Sequence, residues 1–484
     1  MKLQQLLGSI PVLACTADPE LEIHDICYDS RAVQPGDLFV AVSGYAVDGH
    51  RFMAKALAAG AAAVLCEHAP EEGPYILVED SRHALAEVSA AWFGYPAREL
   101  KMVGVTGTNG KTTVTTLLKH VLEQTRGAKV GLVGTNGNMI GDTVYHTEHT
   151  TPGPYEVQKL LRAMADAGCE YGVMEVSSHS LVQYRVAGIQ YRVGLFNNLT
   201  QDHLDFHKTM ENYAEAKALL FSQCDVGIVN MDDDWAETML QRAKCPMKTL
   251  SAERNDCDYV AKDVRLSPAG VRFMALAGDT LARVTLGIPG KFSVYNALAV
   301  VAIAAELGIS PDETAAALAT AKPVKGRAEV LPTDGDYTIL IDYAVTPDAV
   351  ANILDTVRGF AKGRVVFLFG CGGDRDRGKR PIMGRIAGEK ADFVIVTSDN
   401  PRTEDPDAII AEILPGVEQT RTPYVVRADR REAIEYAIEN HRKDDLIILC
   451  GKGHEDYQII GHEKIHMDER EIVAQILQKR KNRP

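Results

Sequence analysis

The sequence predicts an α/β protein of three domains. Its 484 residues exceed the size of one ordinary domain, and the apolar fraction of 46% is enough for about three compact cores. From residue 101 onward, short apolar runs alternate with amphipathic helical segments, a pattern typical of βαβ units and a mainly parallel sheet. The rhythm restarts after residue 327, so we expect domains at 1–98, 99–328 and 329–484.

The N-terminal segment has a mixed pattern. An apolar run at 37–42 precedes a turn region rich in Gly and Asp, and the Ala-rich stretch at 53–66 predicts a single helix. We therefore expect residues 1–98 to form a small α/β domain.

The two larger domains have clearer strand and helix signals. In the central domain, strands are predicted at 102–105, 131–133, 172–176, 193–196 and 226–229, and a helix at 114–122. In the C-terminal domain, strands are predicted at 337–341, 365–369, 393–396, 424–426 and 446–450, with helices at 348–360 and 379–391. The C-terminal pattern predicts a Rossmann-like sheet, whose ligands gather at the carboxyl ends of the strands.

Charge and cysteine content exclude several classes of function. The formal charge of −14 argues against general nucleic-acid binding, which depends on Lys and Arg neutralising phosphates. The nine cysteines form no CxxC pair, which indicates neither a zinc site nor a disulfide framework and fits a reducing cytoplasm. No apolar run is long enough to span a membrane, and the first residues lack a signal-peptide pattern. We expect a cytoplasmic protein that binds neither nucleic acid nor membrane.

A phosphate-binding loop is predicted where the strand at 102–105 ends, which makes the central domain a P-loop ATPase domain. A glycine-rich turn lies there between a strand and a helix, so that backbone N–H groups can bind phosphates. Lys111 would reach the terminal phosphates, and the Thr112 hydroxyl can ligate Mg²⁺. The spacing departs from the strict Walker pattern, because Val105 stands where that pattern has glycine. The residues predicted to bind ATP in this loop are Gly107, Thr108, Asn109, Gly110, Lys111, Thr112 and Thr113.

Other polar residues near strand ends are weaker candidates. The tetrapeptide Gly-Thr-Asn-Gly recurs at 134–137 without a following lysine, and an Asn-Gly hairpin turn explains it better. Glu175 ends one predicted strand and His203 follows another, so both are candidate metal ligands, although Mg²⁺ prefers oxygen. Lys217 and Lys291 lie on helical patterns and, judged alone, are interpreted as solvated charges.

Three polar loops follow strands of the C-terminal sheet, at 369–381, 398–402 and 450–456. The first is rich in glycine and carries several charges, a composition that suits anion binding. Because the carboxyl ends of parallel strands meet at one edge, we expect the three loops to share a ligand site.

Taken in order, these motifs resemble those of the Mur ligase family over essentially the whole chain. The motifs are Gly107-Thr-Asn-Gly-Lys-Thr-Thr113, Met174-Glu-Val-Ser-Ser-His179, Asp202-His-Leu-Asp205, Tyr213-Ala-Glu-Ala-Lys217, Gly370-Cys-Gly-Gly-Asp-Arg-Asp-Arg-Gly-Lys-Arg-Pro381, Asp399-Asn-Pro-Arg402 and Gly451-Lys-Gly-His-Glu455. The resemblance implies an N-terminal domain that holds a UDP-sugar, a central ATPase domain, and a C-terminal domain that receives an amino acid. It also implies the substrates: UDP-N-acetylmuramoyl-L-alanyl-D-glutamate, ATP and meso-diaminopimelate.

The resemblance further assigns residues to each substrate. Ser30 would contact the uridine nucleotide, and Asn296, Arg327 and Asp342 would lie around the ATP nucleotide. In this family the central-domain lysine that matches Lys217 is carbamylated by CO₂. The muramoyl dipeptide would be held by Thr150, Thr151, Ser177, Gln183 and Arg185. The metal set would be Thr112, Glu175, His203 and carbamylated Lys217, with Lys111, Lys217, Glu175 and His203 serving catalysis. The implied chemistry is activation of a carboxylate by ATP, followed by attack of an amine on the acyl phosphate.

Amino-acid selection is expected in the C-terminal loops. Arg402 would bind the second carboxylate of diaminopimelate in a bidentate manner, and lysine would leave this guanidinium unpaired. Lysine-adding members of the family usually lack this arginine. The residues implied for this pocket are Arg375, Asp399, Asn400, Pro401, Arg402, Gly451 and Glu455.

Two departures from the family pattern and three alternatives remain open. Val345 and Ser293 stand where the family commonly has His and Asn, which we expect to tune ATP affinity. The alternatives are a lysine-adding member, a folylpolyglutamate synthase, and an ATP-binding regulator without catalysis. A monomer is expected.

Overall fold

The part of the chain that the structure describes forms three sheets and one separate hairpin, and the protein has the predicted α/β fold class. The computed structural model describes residues 1–44, 47–147, 149–267 and 269–481. The predicted C-terminal domain at 329–484 therefore ends in three residues outside the described ranges. No helix within these ranges is long and apolar enough to cross a membrane.

The N-terminal sheet has five strands in the order β1-β5-β4-β3-β2, and all its pairings are parallel except that of β1 with β5. Its elements are α1 (Leu3–Leu7), β1 (Ala14–Cys15), β2 (Ile26–Cys27), β3 (Leu38–Val40), α2 (Met53–Ala58), β4 (Ala63–Cys66), β5 (Tyr75–Leu77) and α3 (Ser81–Trp92).

The single helix predicted at 53–66 is wrong. The helix ends after Ala58, and Gly60 adopts a φ of +101°, a left-handed value that favours glycine. The chain then enters β4, whose backbone pairs with both β3 and β5. A buried Ala-Val-Leu-Cys run is compatible with either a helix or a strand. Its pairing with strands on both sides makes it a strand here.

The central sheet has eleven strands in the order β16-β15-β14-β13-β12-β11-β6-β10-β7-β8-β9. The five predicted strands correspond to β6, β7, β10, β11 and β12, which pair in parallel. The elements are β6 (Lys101–Thr106), α4 (Lys111–Arg126), β7 (Val130–Val133), β8 (Asn138–Ile140), β9 (Thr143–Tyr145), α5 (Pro154–Asp166), β10 (Tyr171–Glu175), α6 (Ser178–Val182), β11 (Tyr191–Phe196), α7 (Leu204–His207), α8 (Met210–Ala218), β12 (Cys224–Asn230), α9 (Ala236–Arg242), β13 (Met247–Ser251), β14 (Tyr259–Ser267), β15 (Gly270–Ala277), β16 (Thr280–Leu286), α10 (Lys291–Glu306) and α11 (Pro311–Leu318).

Two antiparallel extensions enlarge this sheet beyond the predicted strands. On one side β14, β15 and β16 form an antiparallel meander, and on the other β8 turns back against β7. The predicted hairpin turn at 134–137 is confirmed, since these residues connect β7 to β8. Helices α4 and α10 pack on the face whose core includes Val105, Leu117 and Val300.

The C-terminal sheet has the order β17-β18-β22-β19-β20-β21, and only the pairing of β17 with β18 is antiparallel. All five predicted strands are present. The elements are β17 (Glu329–Leu331), β18 (Thr338–Asp342), α12 (Pro347–Arg358), β19 (Val365–Phe369), α13 (Lys379–Lys390), β20 (Phe393–Val396), α14 (Pro406–Glu418), β21 (Tyr424–Val426), α15 (Arg430–Glu439), β22 (Leu446–Cys450), β23 (Tyr457–Ile460), β24 (Glu463–His466) and α16 (Glu469–Lys481). Strands β23 and β24 form the separate hairpin.

Direct hydrogen bonds join the three segments. Tyr155, at the start of α5, donates its hydroxyl to Asp25 of the N-terminal segment at 2.8 Å. The phosphate-loop residue Asn109 donates to Asp348 of α12 at 3.0 Å. The phosphate loop therefore lies where the central and C-terminal segments meet.

Candidate active site

The phosphate loop between β6 and α4 is closely packed, and two of its glycines are required by geometry. Gly107 and Gly110 have φ values of +152° and +87°, which side chains rarely adopt. A Cβ atom on Gly110 would lie 2.3 Å from the Asn197 amide nitrogen and 2.4 Å from Asn296 Oδ1. Lys111 Nζ donates to the carbonyls of Gly107 and Thr108 at 2.8 and 3.0 Å, so the lysine folds over the loop. A cation is thus held at the N-terminus of α4, where phosphates bind.

Glu175, the last residue of β10, meets this loop. The carboxylate is almost completely buried and accepts from the Thr112 hydroxyl at 3.0 Å. It also accepts from the Thr135 backbone N–H and hydroxyl, at 2.8 and 2.9 Å. Because β10 pairs directly with β6, the sheet itself sets the spacing between Glu175 and the loop.

Arg327 and Asn296, which were both predicted to lie around the nucleotide, lie against the phosphate loop. Arg327 Nη2 donates to the Thr112 hydroxyl at 3.1 Å, and its guanidinium lies 4.7 Å from the centre of the Tyr343 ring. Arg327 Nε is buried and has no hydrogen-bond partner among the described residues. Asn296 Oδ1 accepts from Asn197 at 3.2 Å. An unpaired guanidinium donor beside the loop suits an anionic ligand.

Asp342 binds the backbone of the residue that follows Arg327. Its carboxylate accepts from the Ala328 backbone N–H at 2.7 Å, and Ala328 has a left-handed φ of 47°. Burial raises the pKa of Asp342, against the charge of Arg327.

Ser293, which stands where the family commonly has Asn, donates at 3.0 Å to the carbonyl of Pro289, just before the start of α10. That bond is local to α10.

Lys217, in α8, is buried and reaches the phosphate loop. Its Nζ donates to the Gly107 carbonyl at 2.9 Å, and only 1% of the residue is exposed. Burial lowers the pKa of Lys217 well below its usual 10.5, and the charge of Lys111 lowers it further. The interpretation of Lys217 as a solvated charge is therefore wrong. Lys291 fits that interpretation, because it is exposed and pairs with Glu253.

His203 belongs to a second polar group beside the loop. Its Nε2 lies 3.3 Å from Asp202, and Asp202 also accepts from Lys379 of α13 at 2.9 Å. Burial lowers the pKa of His203 to about 3, against the charge of Asp202. Burial works to raise the pKa of Asp202, but His203 and Lys379 outweigh it and hold that pKa well below its usual range. The ion pair joins the central and C-terminal segments.

The five residues expected to hold the muramoyl dipeptide lie together. Arg185 donates to Gln183 at 2.6 and 2.9 Å and to the Thr151 carbonyl at 2.9 Å. Thr151 contacts Ser177 through its hydroxyl at 3.4 Å, and the Thr150 hydroxyl lies 3.0 Å from that of Thr135.

Two of these residues, Gln183 and Arg185, line a cleft of about 740 Å³ between the N-terminal and central segments. Its lining includes Tyr28, Arg82, Glu156, Gln183 and Arg185. Ser30 lies two residues from Tyr28 on the same loop but is not itself part of the lining.

The three C-terminal loops meet at one edge of their sheet, as expected. Asn400 donates to Glu455 at 2.9 Å, and Lys452 donates to Asn400 Oδ1 at 2.9 Å. Lys452 also pairs with Glu455. Burial raises the pKa of Glu455, against the charge of Lys452. Pro401 is buried beside this group.

Arg402 and Asp399 supply charges of opposite sign to the same pocket. Arg402 has a left-handed φ of 52°, and its Nη1 donates to the Gly373 carbonyl at 2.8 Å. A Cβ atom on Gly451 would lie 2.6 Å from Asp399 Oδ2, so no side chain fits there. That oxygen is buried without a hydrogen-bond partner among the described residues. Arg375 donates to the neighbouring Asp374 carbonyl at 2.8 Å and is exposed.

Several residues of the site were missed from the sequence. Thr135 lies in the hairpin that resembles the phosphate loop without its lysine, yet it holds Glu175. Asp202, Lys379 and Lys452 stand inside recognisable motifs, but no local pattern gives their partners. Their long-range contacts arise only in the folded chain.

The residues around the loop fit a magnesium ion with few protein ligands. Within the described ranges, no group of three or more His, Cys, Asp or Glu side chains is gathered to hold a metal. Thr112 and Glu175 nevertheless place a hydroxyl and a carboxylate together beside the loop. Mg²⁺ commonly uses one or two such oxygens together with substrate phosphates and water.

Comparison with known proteins extends the resemblance to whole domains. Three family models match this chain, described as the Mur ligase family catalytic domain (residues 22–93), the Mur ligase middle domain (105–304) and the Mur ligase glutamate ligase domain (326–453).

Curated relatives match over nearly their full lengths. A UDP-N-acetylmuramoyl-L-alanyl-D-glutamate–2,6-diaminopimelate ligase from Caldanaerobacter subterraneus is 47% identical, over 95% of this chain and 96% of that one. The ligase of the same name from Clostridium botulinum is 45% identical, over 94% and 95%. A solved structure of a ligase with this name has a TM-score of 0.71 and 32% identity, and 99% of each chain is covered.

The fold, the phosphate loop and the shared C-terminal pocket define a three-domain ligase. The chain belongs to the Mur ligase family. The resemblance seen in its sequence motifs is thereby confirmed.

Proposed function

We propose that this enzyme uses ATP to join meso-diaminopimelate to the D-glutamate side-chain carboxylate of UDP-N-acetylmuramoyl-L-alanyl-D-glutamate. The observation that carries this proposal is that one pocket contains both Arg402 and Asp399, whose Oδ2 is buried and has no hydrogen-bond partner among the described residues. A buried carboxylate oxygen without a donor is costly unless a ligand supplies one. An amino acid supplies both an ammonium donor and a carboxylate, and diaminopimelate supplies two of each. This reaction is a step in peptidoglycan precursor synthesis.

The phosphoryl step takes place at the loop between β6 and α4. A D-glutamate carboxylate oxygen attacks the γ-phosphorus of ATP, the bond to the β–γ bridging oxygen breaks, and ADP leaves with that electron pair. Lys111, at the start of α4, offsets the negative charge that otherwise repels two anions. The unpaired Arg327 Nε donor supports a second cationic contact to the nucleotide.

The amide step follows at the C-terminal pocket. The amine nitrogen attacks the acyl-phosphate carbon, a tetrahedral intermediate forms, and the C–O bond breaks to release phosphate. The Lys379–Asp202 ion pair keeps the C-terminal loops against the central segment, so the two reacting groups meet in one place. The acceptor ammonium loses one proton before it attacks and a second as the amide forms, both to water or the released phosphate, and the amide nitrogen keeps the third.

Mg²⁺ would be held by Thr112, Glu175 and a carbamylated Lys217, with His203 nearby. It would supply charge neutralisation at the phosphates. The support from this chain is the hydroxyl–carboxylate pair of Thr112 and Glu175, which already face each other at 3.0 Å.

Carbamylation of Lys217 is supported by its burial. A lysine must be neutral to attack CO₂, and burial together with Lys111 lowers the pKa of this amine. The Nζ–C bond forms, one proton leaves the nitrogen, and the product is an anion. Its position at the Gly107 carbonyl puts that anion beside the phosphate loop.

The uridine end of the first substrate is assigned to the cleft near Ser30. Arg185 and Gln183 line the cleft, and Arg185 also donates to the Thr151 carbonyl. The Thr151 hydroxyl in turn donates at 2.8 Å to the carbonyl of Glu175, the last residue of β10, which links the cleft to that strand end. The peptide end would then lie toward Glu175 and the phosphate loop.

A lysine-adding activity is the main alternative, because its substrate differs only in the distal carboxylate. Arg402 favours diaminopimelate, since lysine would leave a guanidinium unpaired in a partly buried site. The same residue argues against a folylpolyglutamate synthase. An ATP-binding regulator is disfavoured by the intact set Lys111, Glu175 and Lys217. A cytoplasmic monomer is part of the proposal.

The test is phosphate release from ATP with the UDP-muramoyl dipeptide and a panel of acceptors: diaminopimelate, lysine, ornithine and glutamate. Diaminopimelate is expected to exceed lysine by about 10³-fold or more in kcat/KM, because lysine leaves Arg402 unpaired. Equal rates with lysine would reject the assigned acceptor. Release without any acceptor requirement would reject the ligase reaction.

A further inference from the structure

Arg430 is a completely buried arginine beneath the amino-acid pocket, and none of the steps above uses it. It is the first residue of α15, and 2% of its surface is exposed. Its Nη1 donates to the Ser398 carbonyl at 3.2 Å and its Nη2 to the Cys450 carbonyl at 2.8 Å. Burying an arginine is costly unless its donors are paired, and these hydrogen bonds therefore fix where the Arg430 guanidinium lies.

The two carbonyls lie at the ends of two strands that are not neighbours in the sheet. Ser398 follows β20 and Cys450 ends β22, and β19 lies between these strands in the sheet. The ladder therefore provides no direct backbone hydrogen bond between β20 and β22. Arg430 connects their ends across the end of β19.

The residues that follow the two carbonyls form the pocket. Asp399 comes directly after Ser398, and Gly451 comes directly after Cys450. A Cβ on Gly451 would lie 2.6 Å from Asp399 Oδ2, so the two loops are closely packed at this point. A small shift of either strand end would move the Asp399 carboxylate relative to Arg402.

The charge of Arg430 is compensated within the fold. Its Nε donates at 2.9 Å to Glu469, the first residue of α16, which is completely buried. Burial works to lower the pKa of Arg430, but the carboxylates of Glu469 and Asp399 outweigh it and keep that pKa above its usual value. Arg430 therefore keeps its charge, with Nε donating to Glu469 and with Nη1 and Nη2 donating to the two carbonyls.

We infer that Arg430, neutralised by Glu469, is a positioning residue for amino-acid recognition. It sets the separation of the loops at 398–402 and 450–456 and holds Asp399 in place for the substrate ammonium. This inference rests on the proposed function, since it assigns a role within the proposed acceptor pocket. It predicts selective weakening of acceptor binding when the tether is removed.

The test compares three variants of the full-length enzyme. Arg430→Met/Glu469→Met removes both charges of the ion pair together, so that neither partner is left as an unpaired buried charge. Arg430→Lys keeps the charge and allows a bond to one carbonyl. The control is Arg364→Met, which breaks the Arg364–Asp445 ion pair at the opposite, amino-terminal edge of the same sheet. KM for each substrate, kcat and Tm are measured for all of them.

The double variant is expected to raise KM for diaminopimelate about 10- to 100-fold, because misplacement by a fraction of an ångström weakens several contacts at once. KM for ATP should stay within about 2-fold, since the phosphate loop is untouched. Arg430→Lys should recover part of the loss. Arg364→Met should lower Tm without changing KM for diaminopimelate.

Two results would overturn the inference. One is an unchanged KM for diaminopimelate in a folded double variant, and the other is an equal rise in the KM values of all three substrates. If the double variant does not fold, an unchanged KM in Arg430→Lys overturns it instead. Absence of diaminopimelate-dependent turnover in the wild-type enzyme would instead reject the proposed function, so the two failures are distinguishable.

Discussion

The Thr112 hydroxyl donates to the Glu175 carboxylate at 3.0 Å, which joins the phosphate loop to the end of the adjacent strand. β6 and β10 are paired in register, with Val105 opposite Glu175. The loop and its carboxylate are therefore positioned by the sheet and not by flexible segments. A rigid hydroxyl–carboxylate pair at a phosphate loop is the arrangement that a magnesium nucleotide requires.

Glu175→Gln is expected to lower kcat by about 10²-fold or more, because the amide keeps the shape but removes the charge beside the loop. The measurement is the rate of phosphate release as a function of magnesium concentration. Glu123→Gln is a control, since Glu123 lies on α4 and pairs with Lys119 away from the loop. A Glu175→Gln enzyme with the wild-type rate and magnesium dependence would contradict this role.

Lys217→Ala is expected to reduce turnover by about 10³-fold, and Lys217→Glu should retain part of the activity, because glutamate restores an anion near the same place. Steady-state rates with and without added bicarbonate test this. Added CO₂ should not stimulate either variant.

The matched control for Lys217 is Lys119, another buried lysine, which pairs with Glu123 on α4. Lys119→Met should keep full turnover even if it lowers Tm. Full activity of Lys217→Ala would contradict the carbamate proposal, whereas loss in both lysine variants would point to a general effect of removing buried lysines.

Arg402→Ala is expected to raise KM for diaminopimelate and to reduce kcat/KM by about 10²-fold or more, since the distal carboxylate loses a bidentate partner. The preference over lysine should shrink accordingly. Arg427→Ala, which changes an exposed arginine of the same sheet, serves as the control. An unaltered diaminopimelate-to-lysine ratio in Arg402→Ala would rule out the assigned pocket.

Stability should fall as pH falls from about 6.5 to 4, in part because of His207. Burial lowers the folded-state pKa of His207 from 6.5 to about 4, so in this range the unfolded chain binds a proton that the folded chain does not. His207 is buried and contacts the Ser178 hydroxyl at 2.8 Å. The contribution is fully present above pH 6.5 and amounts to at most about 3 kcal/mol.

The measurement is Tm of the wild type and of His207→Gln at pH 7 and pH 5. The variant has no titrating ring at this position, so its decrease in Tm should be smaller than that of the wild type. Equal decreases would show that His207 does not contribute to the pH dependence.

Most of the fold was predictable because parallel strands buried on both faces form continuous apolar runs. The strands at β19, β20 and β22 match their predicted ranges. The helix predicted at 53–66 was wrong because an Ala-rich run has no periodicity that separates a buried strand from a helix. The meander β14–β16 was not predicted, although its consecutive strands pair in antiparallel and burial alternates along β15 and β16.

The site was predictable where its functional residues are consecutive in the sequence, as in the phosphate loop. Lys217 shows the limit, because a lysine on a helical pattern gives no sign of burial until α8 is packed against the loop. Arg430 and Glu469 lie 39 positions apart in the sequence. Which strand ends Arg430 connects can be seen only from the order of the strands in the folded sheet. The roles of such residues depend on contacts that sequence spacing does not encode.

The most direct test of the central claim is transfer of oxygen from substrate to phosphate. UDP-muramoyl dipeptide labelled with ¹⁸O in the D-glutamate side-chain carboxylate is turned over with ATP and diaminopimelate, and the released phosphate is analysed by mass. Formation and capture of an acyl phosphate predicts one ¹⁸O atom in each phosphate released, together with an equal amount of amide product. Unlabelled phosphate, or phosphate formed without amide product, would contradict the account.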